Sequence, residues 1–379
     1  MKSDQKSTII IEEPGLLSTI QDLGRFEYQK YGVPTSGALD SLAFQIGNIL
    51  LGNPSKNPGI ETTMIGPKIK FKSNMWICIT GAQSSPMINE NEIQMWKPIY
   101  VKKNSILTWG SLNWGIRSYI LFNMNMEIEK TMDSYSTNTS LGIGGYNAGS
   151  PLQKGDKINL INSLNSIPSL NNNFDYTKHY IRQNNDITLR IILGPHDDYF
   201  SHNEISKFLS SEYLITPQSN RIGYRLSGPK IKHVKKSDII SEGGALGSIQ
   251  IPGEGQPIIL LQDRGTTGGY PKIATIATVD IPKIAQAKPG QIIKFNKIDI
   301  EESISLLRSN KQILHNLNSN YNTNYFINIE DTNKQITIFD QNKNKIASTK
   351  NSDQIKKYKS YSMNAKYRKK KYSFKINIG

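Results

Sequence analysis

The sequence predicts a mainly β protein made of two related halves with a few short helices. Short apolar runs recur between turn residues along most of the chain, the pattern of a β-sandwich or barrel. At 379 residues the chain has room for two domains or one pseudo-symmetric pair. Three stretches also recur in the same order. GPKIK stands at residues 66–70 and 228–232, LNWGIRSYILF from Leu112 is loosely matched by GEGQPIILLQD from Gly253, and LQKGDKINL from Leu152 by AKPGQIIKF from Ala287. Collinear echoes point to duplication. A duplicated β unit leaves its ligand cleft where loops of both copies meet.

Residues 7–12, with three consecutive isoleucines, read as the first strand. The loop-rich run EPGLLSTIQDLGRFEYQKYGVPTSGALD, residues 13–40, follows. It gathers Gly24, Gly32 and Gly37 with Gln21, Asp22, Arg25, Tyr28, Ser36 and Asp40. Glycines at such points allow positive φ or a close approach to a ligand. A cation beside an acid there either binds an anion or fastens two loops. From Leu39 the apolar residues fall at helical spacing until Gly52-Asn53-Pro54, which predicts a helix packed by its apolar stripe. Strands are expected at 69–71, 75–80, 99–102, 118–122 and 157–161. In the second half they are expected at 188–193, 248–251, 258–262 and 292–296, with a short helix ending near Ser210. The domain reading is a first half over 7–162, an Asn/Ser-rich linker over 163–187, a second half over 188–298, and a C-terminal region over 299–379. That last region reads as a closing helix at 300–317, a hairpin-like alternation, and a basic tail expected to be poorly ordered.

The net charge of +15 resembles a nucleic-acid signal, but its distribution argues otherwise. Residues 340–379 hold 12 Lys and Arg against 2 Asp, which is +10, leaving +5 for the other 339 residues. Such a tail is usually solvated and at most touches polyanions in a salt-dependent way, so nucleic acid is not the expected partner. Cys78, the only cysteine, sits in the apolar run MWICIT and reads as an inert core residue in a reducing compartment. The sequence has no run of about 18 apolar residues, and the start of the chain lacks a secretory h-region. The expectation is a cytoplasmic protein without a membrane partner.

Two further stretches carry candidate chemistry. SNRIGYRLSG, residues 219–228, brings Arg221 and Arg225 beside Asn220, and the guanidinium fork suits carboxylate or phosphate. The bland alternative is a pair of arginines bridging loops. GSIQIPGEGQPIILLQDRGTTGGYPKIATI, residues 247–276, sets Asp263 and Arg264 before a turn with Thr266, Thr267 and Tyr270. That turn could present backbone N–H groups to an anion, or it could be a tight hairpin whose Asp263 and Arg264 pair locally. Glu61, in GIETTMIGP, is either a general base or a partner for Arg25 or Arg117. A GxxxxGK[ST] phosphate loop and a GxSxG elbow are both missing from the sequence. The five histidines show no HxH or HxxxH pairing, so no metal site is expected. Asp197 or Asp198 reads as a helix N-cap.

These three stretches together resemble the C-subunit family of 5-oxoprolinase, also called the allophanate hydrolase subunit 2 or biotin-dependent carboxyltransferase-like family. The resemblance runs over about residues 9–298. It implies two cyclophilin-like β-barrels, and work with B-type and A-type partner subunits as an ATP-dependent 5-oxoprolinase. Such an enzyme opens the lactam of 5-oxoproline to glutamate, with ATP and Mg as cofactors. An amide is a poor electrophile until its oxygen is phosphorylated, and that chemistry needs cations and N–H donors around phosphate and a base for water. By the resemblance, Asp22, Glu61 and Asp263 are the candidate acids or bases. Arg25, Tyr28, Ser36, Asn220, Arg221, Arg225, Arg264, Thr266, Thr267 and Tyr270 are the candidate binding residues. The sequence departs from the family where an Asn-Ser-Arg-Ser-Thr run reads Asp133-Ser-Tyr135-Ser-Thr137, where Gly-Arg reads Gly149-Ser150, and where Ala-Gly-Gly reads Asn123-Met-Asn. Two alternatives follow. One is a carboxyltransferase component acting on urea or a related amide with biotin carried on another chain. The other is a non-catalytic interaction subunit that opposes a kinase inhibitor.

Overall fold

The computed structural model describes residues 7–163, 186–321, 326–330, 335–339, 345–349, 360–367 and 370–377. The chain forms two compact units, one of residues 1–167 with 171–314 and one of 168–170 with 315–379. Most of the expected linker lies outside the described residues.

The first unit contains two β structures. The first sheet is built from β1 (Ser7–Glu13), β2 (Leu17–Gln21), β3 (Gly59–Thr63), β4 (Lys68–Phe71), β5 (Met75–Ile88), β6 (Asn91–Glu92), β7 (Pro98–Val101), β8 (Ile106–Phe122), β9 (Met124–Met126) and β10 (Lys157–Ser163). Its strand order is β2-β3-β8-β4-β1-β10-β9, with β5 on β8 and the short β6 and β7 on β5. Alternation sets the faces: in β1, Ile9 and Ile11 point into the core while Thr8 and Ile10 are half-buried. Helix α1 (Ser41–Leu50) packs Phe44 and Ile46 inward, and Asp40 caps it by accepting the Ala43 N–H.

The second structure is a closed barrel, ordered β11-β18-β15-β16-β13-β12-β19. Its strands are β11 (Asp186–Leu193), β12 (Tyr213–Ile215), β13 (Gly223–Ser227), β15 (Ser248–Gln250), β16 (Ile258–Leu260), β18 (Lys272–Ile276) and β19 (Ile292–Lys297). A separate two-stranded ribbon joins β14 (Glu242–Gly243) to β17 (Thr267–Gly268). Helix α2 (His202–Ser210) closes one side through the stack of Phe208 on Phe295. A one-turn helix, α3 (Ile281–Ala285), sits between β18 and β19. The N-cap of α2 is Ser201, not Asp197 or Asp198, because the two acids form a preceding 3-10 turn in which Asp198 pairs with Lys235.

The last strand of each half lies beside its first, β10 on β1 and β19 on β11. The first pairing is antiparallel and the second parallel, so the two halves share a theme without superposable topology. The second GPKIK is not a strand, and only its Ile231 reaches the core. Cys78 is fully buried, and burial raises its thiol far above the ordinary range, as expected of an inert core sulfur. Among the described residues no helix is long and apolar enough to cross a membrane.

Helix α4 (Ile300–Tyr321) leads out of the first unit. The second unit holds a five-stranded sheet ordered β22-β21-β20-β23-β24. Its strands are β20 (Phe326–Glu330), β21 (Gln335–Phe339), β22 (Lys345–Thr349), β23 (Ser360–Tyr367) and β24 (Lys370–Asn377). The basic tail, expected to lack order, thus supplies a hairpin. Its Tyr361, Met363 and Ala365, and its Tyr372, Phe374 and Ile376, alternate with polar residues at the strand period of two, a signal masked by the lysine content.

Candidate functional site

The loop of residues 22–40 joins the sheet to the barrel. Gly37 stands at φ +94°, and a Cβ there would lie 2.7 Å from the Leu23 carbonyl carbon, so only glycine permits the fold-back. The Ser36 N–H donates to the Gln262 carbonyl at 3.1 Å, across to the barrel. Leu39 is fully buried in the barrel's own hydrophobic core. On the same loop, Asp40 Oδ2 accepts from Gln286 Nε2 at 2.8 Å, and Gln286 Oε1 in turn accepts the N–H groups of Ile116 and Arg117.

Beneath this loop lies a buried charge network. Glu61, on β3 and 2% exposed, accepts from Leu39 N at 2.8 Å, Tyr119 Oη at 2.9 Å and Arg221 Nη1 at 2.5 Å, and has Arg117 Nε at 3.9 Å. Arg221, from the barrel, also grips Asp263 through Nε at 2.8 Å and Nη2 at 3.2 Å, and donates to the Gly37 carbonyl at 2.7 Å. Arg117 donates from Nη1 to Tyr224 Oη at 2.8 Å and to the Ala285 carbonyl. Burial works against the charge on both arginines, but Asp263 and Glu61 around Arg221, and Tyr224 and Glu61 around Arg117, outweigh it and raise both.

Asp22 organises the other side. Its Oδ1 accepts from Gly24 N at 2.7 Å, Ser134 Oγ at 2.7 Å and Ser136 Oγ at 2.6 Å, and its Oδ2 from Tyr135 N at 2.8 Å. The run Asp133–Thr137 is therefore pinned to the loop by its serines. Next to it lies Arg25, 1% exposed. Its Nη2 donates to the Ser136 carbonyl, while Nε and Nη1 are buried and have no acceptor among the described residues. Desolvation pulls this guanidinium below its ordinary value, opposed by Asp22 and Asp263. Gly144 makes the packing possible: at φ +69°, its Cβ would lie 2.1 Å from the Ser136 carbonyl oxygen and 2.7 Å from Arg25 Nη2. We expect Gly144→Ala to destabilise the chain by more than about 1 kcal/mol in chemical unfolding, since the substitution demands both positive φ and displaced backbone.

Placement thus divides the candidates named from the sequence. Asp22, Glu61 and Asp263 were expected to serve as acids or bases, but their oxygens are engaged by structural donors. In this arrangement each carboxylate also fastens neighbouring segments. Arg221 is a bridge between loops. Arg225 is exposed on the outer face of β13, one alternation away from buried Tyr224, and its side chain does not join the site. Asn220 closes its own turn by accepting from Ile222 N and Gly223 N. Tyr28 Oη donates to Asp133 at 2.7 Å at the surface, and Ser36 Oγ accepts from Asn138 at 3.0 Å inside. Arg264 is buried, has no carboxylate partner among the described residues, donates to the carbonyls of Gly244 at 2.8 Å and Leu261 at 3.2 Å, and is lowered by burial. Thr267 and Tyr270 are exposed, Thr266 half-buried. Sequence reasoning named Asp40 only as part of the loop's polar cluster and missed Tyr119 and Gln286 as junction residues. Arg117 and Tyr119 carried a signal, being polar groups on one face of an apolar strand.

The carboxyltransferase domain family, subdomains A and B, matches residues 31–297. The chain belongs to this family. It is 32% identical to the C subunit of 5-oxoprolinase from Haemophilus influenzae over 78% of this chain and 92% of that protein. It is 31% identical to the Escherichia coli protein of the same name, over 80% and 95%. The urea amidolyase of Saccharomyces cerevisiae is 34% identical over 80% of this chain, which spans only 17% of that enzyme. In three dimensions the Kluyveromyces lactis urea carboxylase matches 90% of this chain and 33% of its own, at 27% identity and a TM-score of 0.76. The mainly β architecture is thus that of carboxyltransferase-family domains, and the family is the one to which the C-type proteins of 5-oxoprolinase belong.

Proposed function

We propose that this carboxyltransferase-family chain is the C-type component of a cytoplasmic, ATP-dependent 5-oxoprolinase, active only with B-type and A-type partner subunits. Near end-to-end matching to two proteins named as the C subunit of 5-oxoprolinase supports this over the fungal enzymes, of which the chain spans a small part. The observation that carries the site is Arg25, a buried guanidinium whose Nε and Nη1 lack acceptors among the described residues. Nε and Nη1 face different edges of the guanidinium, so each can donate to a separate oxygen of an anionic ligand. We read the chain's own contact with ATP as made by these two donors of Arg25, and Mg would accompany the nucleotide. ATP, when bound, supplies the phosphoryl group that turns the amide oxygen into a leaving group. Asp22 and the serines at 134 and 136 hold the Arg25 loop in place, and the Glu61–Arg221–Asp263 bridge keeps sheet and barrel together around it.

Phosphate release from ATP, measured with and without 5-oxoproline and with each partner omitted, tests the proposal. We expect release only when all three components and 5-oxoproline are present. A stable complex without turnover would sink it. A second reading rests on the longer structural match to the urea carboxylase. In that case a biotin-bearing partner and urea, rather than 5-oxoproline, would drive phosphate release.

A further inference from the structure

Basic charge spread along a disordered tail makes no surface. Strands β23 and β24 gather that charge into the sheet of the second unit, and a sheet has two faces. This sheet lies outside residues 31–297, the span matched by the carboxyltransferase family. Residues paired directly across neighbouring strands share a face, and successive residues along a strand alternate between faces. The register sets Ile327 opposite Ile338, Ile329 opposite Ile336, and Met363 opposite Phe374, and the parallel pairing of Ile327 with Met363 places all six on one face. The one charged residue on that face among the described residues is Lys370, at the end of the β23–β24 hairpin. Such a face is built to be buried.

The opposite face has another composition. On two adjacent inner strands, Phe326 of β20 stands directly opposite Phe339 of β21. Their neighbours on the face are polar: Asn328 pairs with Thr337 on one side and with Asn364 on the other. Lysines flank the pair on both sides. Lys345 of β22 is opposite Phe339, while β23 and β24 set Lys366 opposite Lys371 and Lys375 opposite Ser362. Glu330 is the one acid on this face among the described residues. A sheet with one apolar and one polar face packs the first and leaves the second to water. Packing therefore does not account for two aromatic residues at the middle of the polar face. Like charges directly opposite each other destabilise a strand pair, so Lys366 and Lys371 gain from an anion placed between them.

We propose that this face binds single-stranded nucleic acid, with unpaired bases stacked on Phe326 and Phe339 and the phosphates held by the lysines on either side. Every base has a flat π face, and a single strand leaves it open to an aromatic platform. The lysines supply attraction to the phosphate backbone that does not depend on sequence. Asn328, Thr337 and Asn364 suit the donor and acceptor edges of bases, and their amides and hydroxyl oppose burial in lipid. The inference stands on the second unit alone and does not depend on the reaction proposed above.

The test uses the full chain and the fluorescence anisotropy of a short labelled oligouridylate, read over a range of salt concentrations. We expect the native chain to bind it more tightly than an RNA duplex or inorganic polyphosphate, which carries the charge without the bases. Phe326→Leu combined with Phe339→Leu keeps apolar residues at both positions but removes the rings, and should weaken binding about tenfold or more. Lys366→Gln combined with Lys371→Gln should lower the slope of log affinity against log salt by about 1.4, the share of two phosphate contacts on a single strand. This second pair also relieves the opposed charges, so the sheet keeps its fold. Lys102→Gln combined with Lys103→Gln removes the same charge from exposed positions of the first unit and should change neither affinity nor slope. Absence of oligouridylate binding, equal binding of duplex or polyphosphate, undiminished binding by the folded phenylalanine variant, or an unchanged slope in the Lys366 and Lys371 variant would each overturn the proposal. Capture by phosphatidylserine vesicles without oligouridylate binding would assign the face to a membrane surface and overturn it as well.

Discussion

Replacing Glu61 with glutamine should lower the stability of the chain by about 3–5 kcal/mol, the range for removing one partner from a buried ion pair. Glu61 is 2% exposed and faces two guanidiniums, Arg221 at 2.5 Å and Arg117 at 3.9 Å. Glutamine keeps the shape but not the charge, and its NH2 cannot accept from Arg221 or from Leu39 N. Two cations would then share a buried junction with Asp263 as the counter-ion left among the described residues. The urea midpoint should fall by about 1–2 M. Arg225→Met is the control. Arg225 lies on the exposed face of the same strand region, so its loss should stay within about 0.5 kcal/mol. The double variant Glu61→Leu with Arg221→Met should be less destabilised than the two single changes added together, because neither charge is then left alone. A Glu61→Gln chain within about 1 kcal/mol of the native one would show that the bridge does not hold sheet and barrel together.

The same network explains which parts of the molecule could be read from the sequence. Strands such as β4 and β19 were visible because burial on one face imposes a period of two, β5 because it opens on a continuous apolar run, and α1 because its stripe repeats at helical spacing. The hairpin of β23 and β24 carries the same period, but serines, asparagines and lysines fill its alternate positions, and the basic surroundings hid the pattern. At the site, residue type announced that charged groups matter without revealing their partners. Arg221 and Arg225 sit four residues apart in one motif, yet the turn and strand alternation send one into the junction and the other outward. Likewise Asp22, Glu61 and Asp263 had the residue type of acid–base groups. Only the folded chain shows Asp22 taking four hydrogen bonds from one loop and its neighbouring run, and Glu61 joining strands more than 50 residues apart. Such partners are set by tertiary packing, which no local window contains.

Arg25→Met should separate binding from folding. Arg25 has one acceptor, the Ser136 carbonyl, while Nε and Nη1 are buried and unmatched among the described residues, and desolvation already weakens its charge. Methionine removes those unmet donors while filling much of the same volume. Asp22 keeps its serine and backbone donors, and Asp263 keeps Arg221. The unfolding free energy should therefore shift by no more than about 1 kcal/mol, far less than for Glu61→Gln. Turnover of the assembled enzyme should respond differently. A hydrogen bond to a charged group contributes about 1.5–3 kcal/mol, and two of them lost correspond to about 10²- to 10⁴-fold in kcat/KM. Arg25→Lys should recover little, since an ammonium keeps the charge but cannot place donors on two edges of one plane. If the reactant's own carboxylate is what Arg25 holds, the loss falls on KM. If it holds charge that develops at the phosphoryl group, the loss falls on kcat. A folded Arg25→Met chain supporting undiminished turnover with its partners would mean that the unmatched guanidinium is only a strained part of the junction.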